Sequence, residues 1–428
     1  MVTKSNQIFL RGALIWIIWP PPPAGNFRVL KAKLLESLSG TDVQIYGEKY
    51  DKALSILAPF NNGEETFIED AFIIDLLKAK YITERGPEVD EKYLPNYPEH
   101  VYRANNGMAR NLGFMEQDPN HVENIKKFIN ELEHFAATYA NIVNNQRVSI
   151  RNMAEVNKIK SVYEPILAAH TMQDNPKDYK KGNYIADQYE RLWILLKLNK
   201  AFDKDEFRKI THKLNLALRK GTYNSNEEVK KLFDTELQNA LKKVEKTSTL
   251  DYETFKSNTY SNTQLPLFRY LLARVEKYLR DTKNKGQTGR QSDGTQSIYQ
   301  LCIETPHQVE QTIYVNDANI QTFGSKEEVE KCQNMLGSLL LLGDKEHIST
   351  DATYESKLQA YYQSNLIWGQ TLCREFYKES NETLGHVRER LPSHIFEQFK
   401  PYDKFDKQAL EERTKLLYEL VKIIWEVE

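Results

Sequence analysis

The residues best equipped for chemistry lie between His307 and Lys357: His307, Glu310, Gln311, Asn334, Ser338, His347, Asp351 and Lys357, set among apolar segments. A glutamate and a histidine brought together by folding can hold a divalent cation such as Mg²⁺ or Mn²⁺, and a histidine can take a proton from an attacking water. The same residue types also fill surface loops, and their spacing alone does not choose between the two. His307 precedes Gln311 by four residues, so on an extended strand both side chains share a face.

The elements that must position these groups are mostly helical. Phe27, Leu30, Leu34, Leu35 and Leu38 form one stripe that stops at Ser39 and Gly40, a normal helix exit. A longer amphipathic run carries Val122, Ile125, Ile129, Leu132, Ala136, Tyr139 and Val143 behind the start signals Asp118 and Pro119. Asp203 and Glu206 predict a capping box, with Gly221 as terminator, and further helices are expected over 186–200, 226–246 and 265–281. The segment 283–297 has no large apolar residue and is rich in Gly, Ser, Thr and Gln, which marks an exposed connection.

Beyond that connection, 298–303 and 309–315 read as short strands. Ser325 and Glu328 predict a capped helix ending near Gly337, 338–342 is a short apolar turn or strand, and three or four helices finish the chain. Four parts are expected: an N-terminal segment (1–26), a helical domain (27–282), the linker (283–297) and a C-terminal module (298–428).

Composition narrows the function classes. With 40% hydrophobic and 28% charged residues the chain suits a water-soluble globular protein, and no run reaches the roughly 18 apolar residues of a membrane helix. The apolar stretch 13–19 is too short and runs straight into Pro20–Pro23, so it reads as folded or linker sequence rather than a secretion signal. Cys302, Cys332 and Cys373 are odd in number and widely spaced, which suits a reducing compartment and points to the cytoplasm. No Walker-type phosphate loop occurs, so no nucleotide cofactor is expected on this chain.

A net charge of −2 argues against a protein that coats nucleic acid through overall electrostatics. Two windows stand out locally: 197–246 has 13 basic against 8 acidic residues and 269–290 has 7 against 2, each net +5. Such runs serve as solvated helix faces or as phosphate tracks.

The order of residues in the last third resembles the C-terminal HNH module of the GmrSD-like modification-dependent restriction endonucleases. The matching segments are Val309-Glu310-Gln311-Thr312, Asn334-Met335-Leu336-Gly337-Ser338 with the leucines to Leu342, His347, Tyr354-Glu355-Ser356-Lys357-Leu358, Glu412-Arg413 and Ile424-Trp425. More loosely, 30–35 and 268–279 are similar to helices that flank the family's central region. The resemblance implies a mainly α fold, in which a multi-helical body is followed by a small ββα-metal (HNH-like) module embedded in helices. It also implies DNA as the target. The family's ParB-like nucleotide-hydrolysing domain would fall before residue 1, which implies either a ParB-like partner subunit or a longer natural chain.

The same resemblance exposes two departures. The family's base histidine matches Gln311, whose amide accepts no proton near neutral pH, and its orienting asparagine matches Ser338. Loss of a general base costs roughly 10²–10⁴ in rate. Glu310 and His347 match the metal-ligand positions and Lys357 the phosphate-facing one, while His307 and His347 are candidate substitute bases. A degenerate module that binds DNA or a partner with weak or no cleavage is therefore expected. An active metal-dependent endonuclease with a rearranged site and a helical interaction scaffold are the alternatives.

Overall fold

The computed structural model describes residues 8–10, 13–15, 25–61, 67–83, 94–102, 107–144, 148–221, 223, 225–261, 264–281, 297–305, 307–343, 348 and 352–427. The chain divides into two units, Met1–Asn144 with Leu167–Lys177, and Asn145–Ile166 with Asp178–Glu428. This division falls elsewhere than the expected junction at 283–297, of which only Ser297 lies within the described residues.

In the first unit, strands β1 (Ile8–Leu10) and β2 (Ala13–Ile15) pair antiparallel. Helices α1 (Asn26–Glu36), α2 (Thr41–Ser55), α3 (Ile68–Lys80) and α4 (His121–Asn144) follow. The expected α1 stripe buries Leu30 and Leu34 completely, and Gly40 turns the chain into α2 with φ +59°, a conformation that glycine adopts without steric cost. In α4 the residues Ile125, Ile129, Leu132, Ala136 and Tyr139 are all buried, as the periodicity predicts.

The start of α1 carries no capping side chain of its own, because Gly25 precedes it. Asp70 of α3 does the capping instead, accepting from Asn26 N at 3.2 Å and Phe27 N at 2.7 Å, and Tyr97 Oη donates to the same carboxylate at 2.7 Å. A carboxylate at a helix N-terminus satisfies orphan amides and faces the positive end of the helix dipole.

The second unit contains α5 (Lys180–Leu198), α6 (Lys204–Leu218), α7 (Asn226–Lys243) and α8 (Leu265–Arg280). Then come β3 (Gln308–Gln311), α9 (Asp317–Phe323), α10 (Lys326–Cys332), β4 (Leu339–Leu342), α11 (Tyr354–Gln363), α12 (Ile367–Gln370), α13 (Glu382–Arg390) and α14 (Lys407–Ile424). Helix α8 packs against β3, β4, α12, α13 and α14, so the expected body and module share one core here.

Helix α6 starts as expected: Asp203 accepts from Asp205 N at 3.0 Å and Glu206 N at 2.9 Å. The other half of the box does not form. Glu206 turns outward to Lys209 at 2.7 Å and to Lys243, and these two ammonium groups hold its carboxyl down to about 2. Asp203→Ala is expected to cost ~1 kcal/mol and Asp203→Asn far less, read from urea denaturation midpoints.

Two expectations are corrected. The segment 298–303 is not a strand; it leads into a π-helical turn over Gln300–Glu304. Ile298, Leu301 and Cys302 are buried while Ile303 is exposed, an i, i+3, i+4 pattern that belongs to a helix and that a short apolar run obscures. The helix capped by Ser325, whose Oγ accepts from Glu328 N at 3.2 Å, ends at Cys332 rather than near Gly337. The chain then turns through Leu336–Ser338, a 3₁₀ turn seated on α14.

Candidate functional site

Strands β3 and β4 pair antiparallel, with Gln308 opposite Leu342, Val309 opposite Leu341, Glu310 opposite Leu340 and Gln311 opposite Leu339. The ladder continues past β3, where the amide and hydroxyl of Thr312 donate to Ser338 O at 2.7 and 2.8 Å. All four leucines of β4 are buried, so the strand reads as a continuous apolar run. Helix α11 follows in sequence and supplies Lys357 and, one turn on, Tyr361 on the same face.

Lys357 is only 1% exposed. Its ammonium lies 3.4 Å from Glu310 Oε1, donates to Gln311 O at 3.2 Å and Thr312 O at 3.5 Å, and sits 3.9 Å from the centre of the Tyr314 ring. Burial pulls its pKa down to about 8, against the opposing pull of the Glu310 charge. Glu310, also buried, accepts from Tyr314 Oη at 2.9 Å through Oε2 and from Tyr361 Oη at 3.4 Å through Oε1. Burial first, and the Glu310 charge second, push both phenols above their ordinary range.

Both Glu310 oxygens are thus engaged by internal donors. A metal ion at this carboxylate would compete with Lys357 and Tyr361 at Oε1 and with Tyr314 at Oε2. Among the described residues no group of three His, Cys, Asp or Glu side chains could hold a metal ion. His347, the second expected ligand, and Asp351 lie outside the described residues.

The other candidates are brought near the strand pair but are engaged separately. Gln311 Nε2 donates to Asn334 Oδ1 at 2.8 Å, and Asn334 Nδ2 donates to Glu330 O at 2.8 Å. Ser338 is fully buried, and its hydroxyl is placed to donate to Gln333 O at 2.6 Å and Met335 O at 2.9 Å. It therefore fastens the turn before β4, and Asn334 is the side chain that orients Gln311. His307 precedes β3: its Nδ1 bonds to Thr305 O at 2.8 Å, and its carbonyl accepts from Arg269 Nε at 2.8 Å.

No protein-family model matches the sequence, and no curated protein matches it.

Sequence reasoning missed Tyr314 and Tyr361. Their signal is available in the chain: Tyr314 follows Glu310 by four residues, and Tyr361 follows Lys357 by four on a helix. Missed too was the use made of Arg413, which is 1% exposed, stacks 3.7 Å from the centre of the Trp368 ring and donates to Trp368 O at 3.1 Å. Trp425 donates through Nε1 to Glu190 at 3.0 Å, and its carbonyl accepts from Arg191 Nε at 2.7 Å, which ties the segment after α14 to α5.

Several residues of the basic windows are matched inside the unit. Arg269 holds His307 O, Arg274 pairs with Glu190 at 3.0 Å, Lys277 with Asp281 at 2.7 Å and Arg280 with Glu276 at 4.0 Å. In the other window Lys209, Lys213, Lys230 and Lys243 face carboxylates. The expected phosphate-touching stretch 283–290 lies outside the described residues. Among the described residues no helix is long and apolar enough to cross a membrane.

Proposed function

We propose that this chain is a component of a DNA-targeting defence system, with an HNH-like ββα module that binds DNA and does not cleave it. The observation that carries the reading is the Lys357 ammonium set against Glu310 beneath the paired strands, with an amide at Gln311. The antiparallel pair β3–β4 with α11 following β4 supports the ββα likeness, with α9 and α10 inserted between the two strands. The neutralised carboxylate and the missing imidazole support the loss of cleavage.

Supercoiled plasmid incubated with Mg²⁺ or Mn²⁺ is expected to remain intact. Nicking by the wild type that disappears in Glu310→Ala would overturn the non-cleaving reading. Fluorescence anisotropy with plain and modified duplexes is expected to show binding that weakens steeply with added salt. Absence of binding at low salt would remove DNA from the proposal. The internal pairing of the basic residues on α8 favours a second reading, an interaction scaffold for a ParB-like subunit, which co-purification of such a partner with intact chain would support.

A further inference from the structure

A second buried carboxylate lies outside the site described above. Glu276 of α8 is 1% exposed, and its two oxygens accept separately from Ile367 N at 2.8 Å and Trp368 N at 2.7 Å. The hold passes onward, since the Trp368 indole donates through Nε1 to Leu339 O of β4 at 3.1 Å. One carboxylate thus fixes the backbone of a residue whose side chain braces the strand opposite Gln311.

The charges around Glu276 are sparse. Arg280, one turn along the same helix, stands 4.0 Å away. Arg413 of α14 acts from beyond the Trp368 ring, where it is occupied with Trp368 O and Thr371 Oγ1. Arg390 of α13 lies over Tyr278, β4 contributes leucines alone, and Glu310 of β3 is paired with Lys357. The π-helical turn Gln300–Glu304 brings the buried Cys302 and the exposed Glu304. A carboxylate taken out of water takes up a proton more readily than one in water, and amide donors or a cation at the edge of contact work against that. Burial lifts this carboxyl to about 7, opposed by Arg280, the two amides and Arg413.

We propose that Glu276 is a proton-operated latch: ionised, it holds both the Ile367 and Trp368 amides, and protonated, it releases one and slackens the grip of Trp368 on β4. The physical reason is that a carboxyl oxygen carrying hydrogen becomes a donor and is a poor acceptor for a second N–H. The device works without any assumption about DNA or cleavage.

The test follows the indole Nε1–H resonance of Trp368, assigned with Trp368→Phe, through the neutral pH range by NMR. The wild type is expected to show a transition centred at about 7, and Glu276→Gln a flat response. A flat wild-type curve, or the same curve in Glu276→Gln, overturns the latch. Should Glu276→Gln fail to fold, Arg280→Met provides the decision. Removal of the nearest cation is expected to raise the midpoint, and an unmoved midpoint counts against the proposal.

Discussion

Lys357→Met is expected to destabilise the second unit by ~3–5 kcal/mol at neutral pH, the usual cost of removing one member of a buried ion pair. Methionine keeps most of the volume, so the loss reports charge rather than a cavity. The physical cause is Glu310, which would keep its burial and its two tyrosine donors while losing the only cation against it in the described site. The double variant Glu310→Gln with Lys357→Met is expected to recover most of the loss, because a neutral amide carries no buried charge, accepts from one tyrosine hydroxyl through its oxygen and donates through its nitrogen to the other. A single variant within ~0.5 kcal/mol of wild type in denaturant titrations would show that the pair carries no such weight.

The pH dependence of this group has a definite sign. Its folded pKa of about 8 lies below the ordinary ~10.4 of a lysine. Between those values the unfolded chain binds the proton and the folded chain does not, so the Lys357 contribution to stability rises as pH increases through that window. The difference between wild type and Lys357→Met should therefore change between pH about 8 and ~10, and a difference that stays constant would contradict the assignment.

The second large effect is expected at Gly337. A Cβ added there would fall 2.5 Å from Leu410 O and 2.8 Å from Thr414 N, both backbone atoms of α14, and 2.4 Å from Thr414 Oγ1. The backbone of the turn and the backbone of the helix are in direct apposition, so no side-chain rotation relieves the contact. Gly337→Ala is expected to cost ~1–3 kcal/mol or more through overpacking, with a matching fall in melting temperature. Thr414→Ala in the same chain removes one of the three contacts and is expected to restore little. Full recovery in that double variant would place the clash on the side chain and overturn the argument.

These two positions show where reading the sequence reaches its limit. Gly337 and Lys357 both fall within matching segments, but neither the apposition of Gly337 to α14 nor the burial of Lys357 beside Glu310 follows from their neighbours in the chain. Gln311 is expected to stand beside Ser338, and the strand register does bring them next to one another. Its side-chain partner is nonetheless Asn334, because the Ser338 hydroxyl is taken by the turn that precedes β4.

What the sequence by itself determined was local. The stripes of α1 and α4, the Asp203 cap of α6, the Ser325 cap of α10 and the glycine turns at Gly40 and Gly221 all arise from interactions within a few residues, and all are present. Short apolar runs were ambiguous, which is why 298–303 reads as a strand and folds as a helical turn. Only the tertiary structure decided how remote polar groups are satisfied: Asp70 caps α1 from 43 residues away, Glu276 holds Trp368 from 92 residues away, and Lys357 meets Glu310 across 47. A buried donor or charge must find a partner, but it takes whichever one the packing brings within reach, and chain order does not encode that distance.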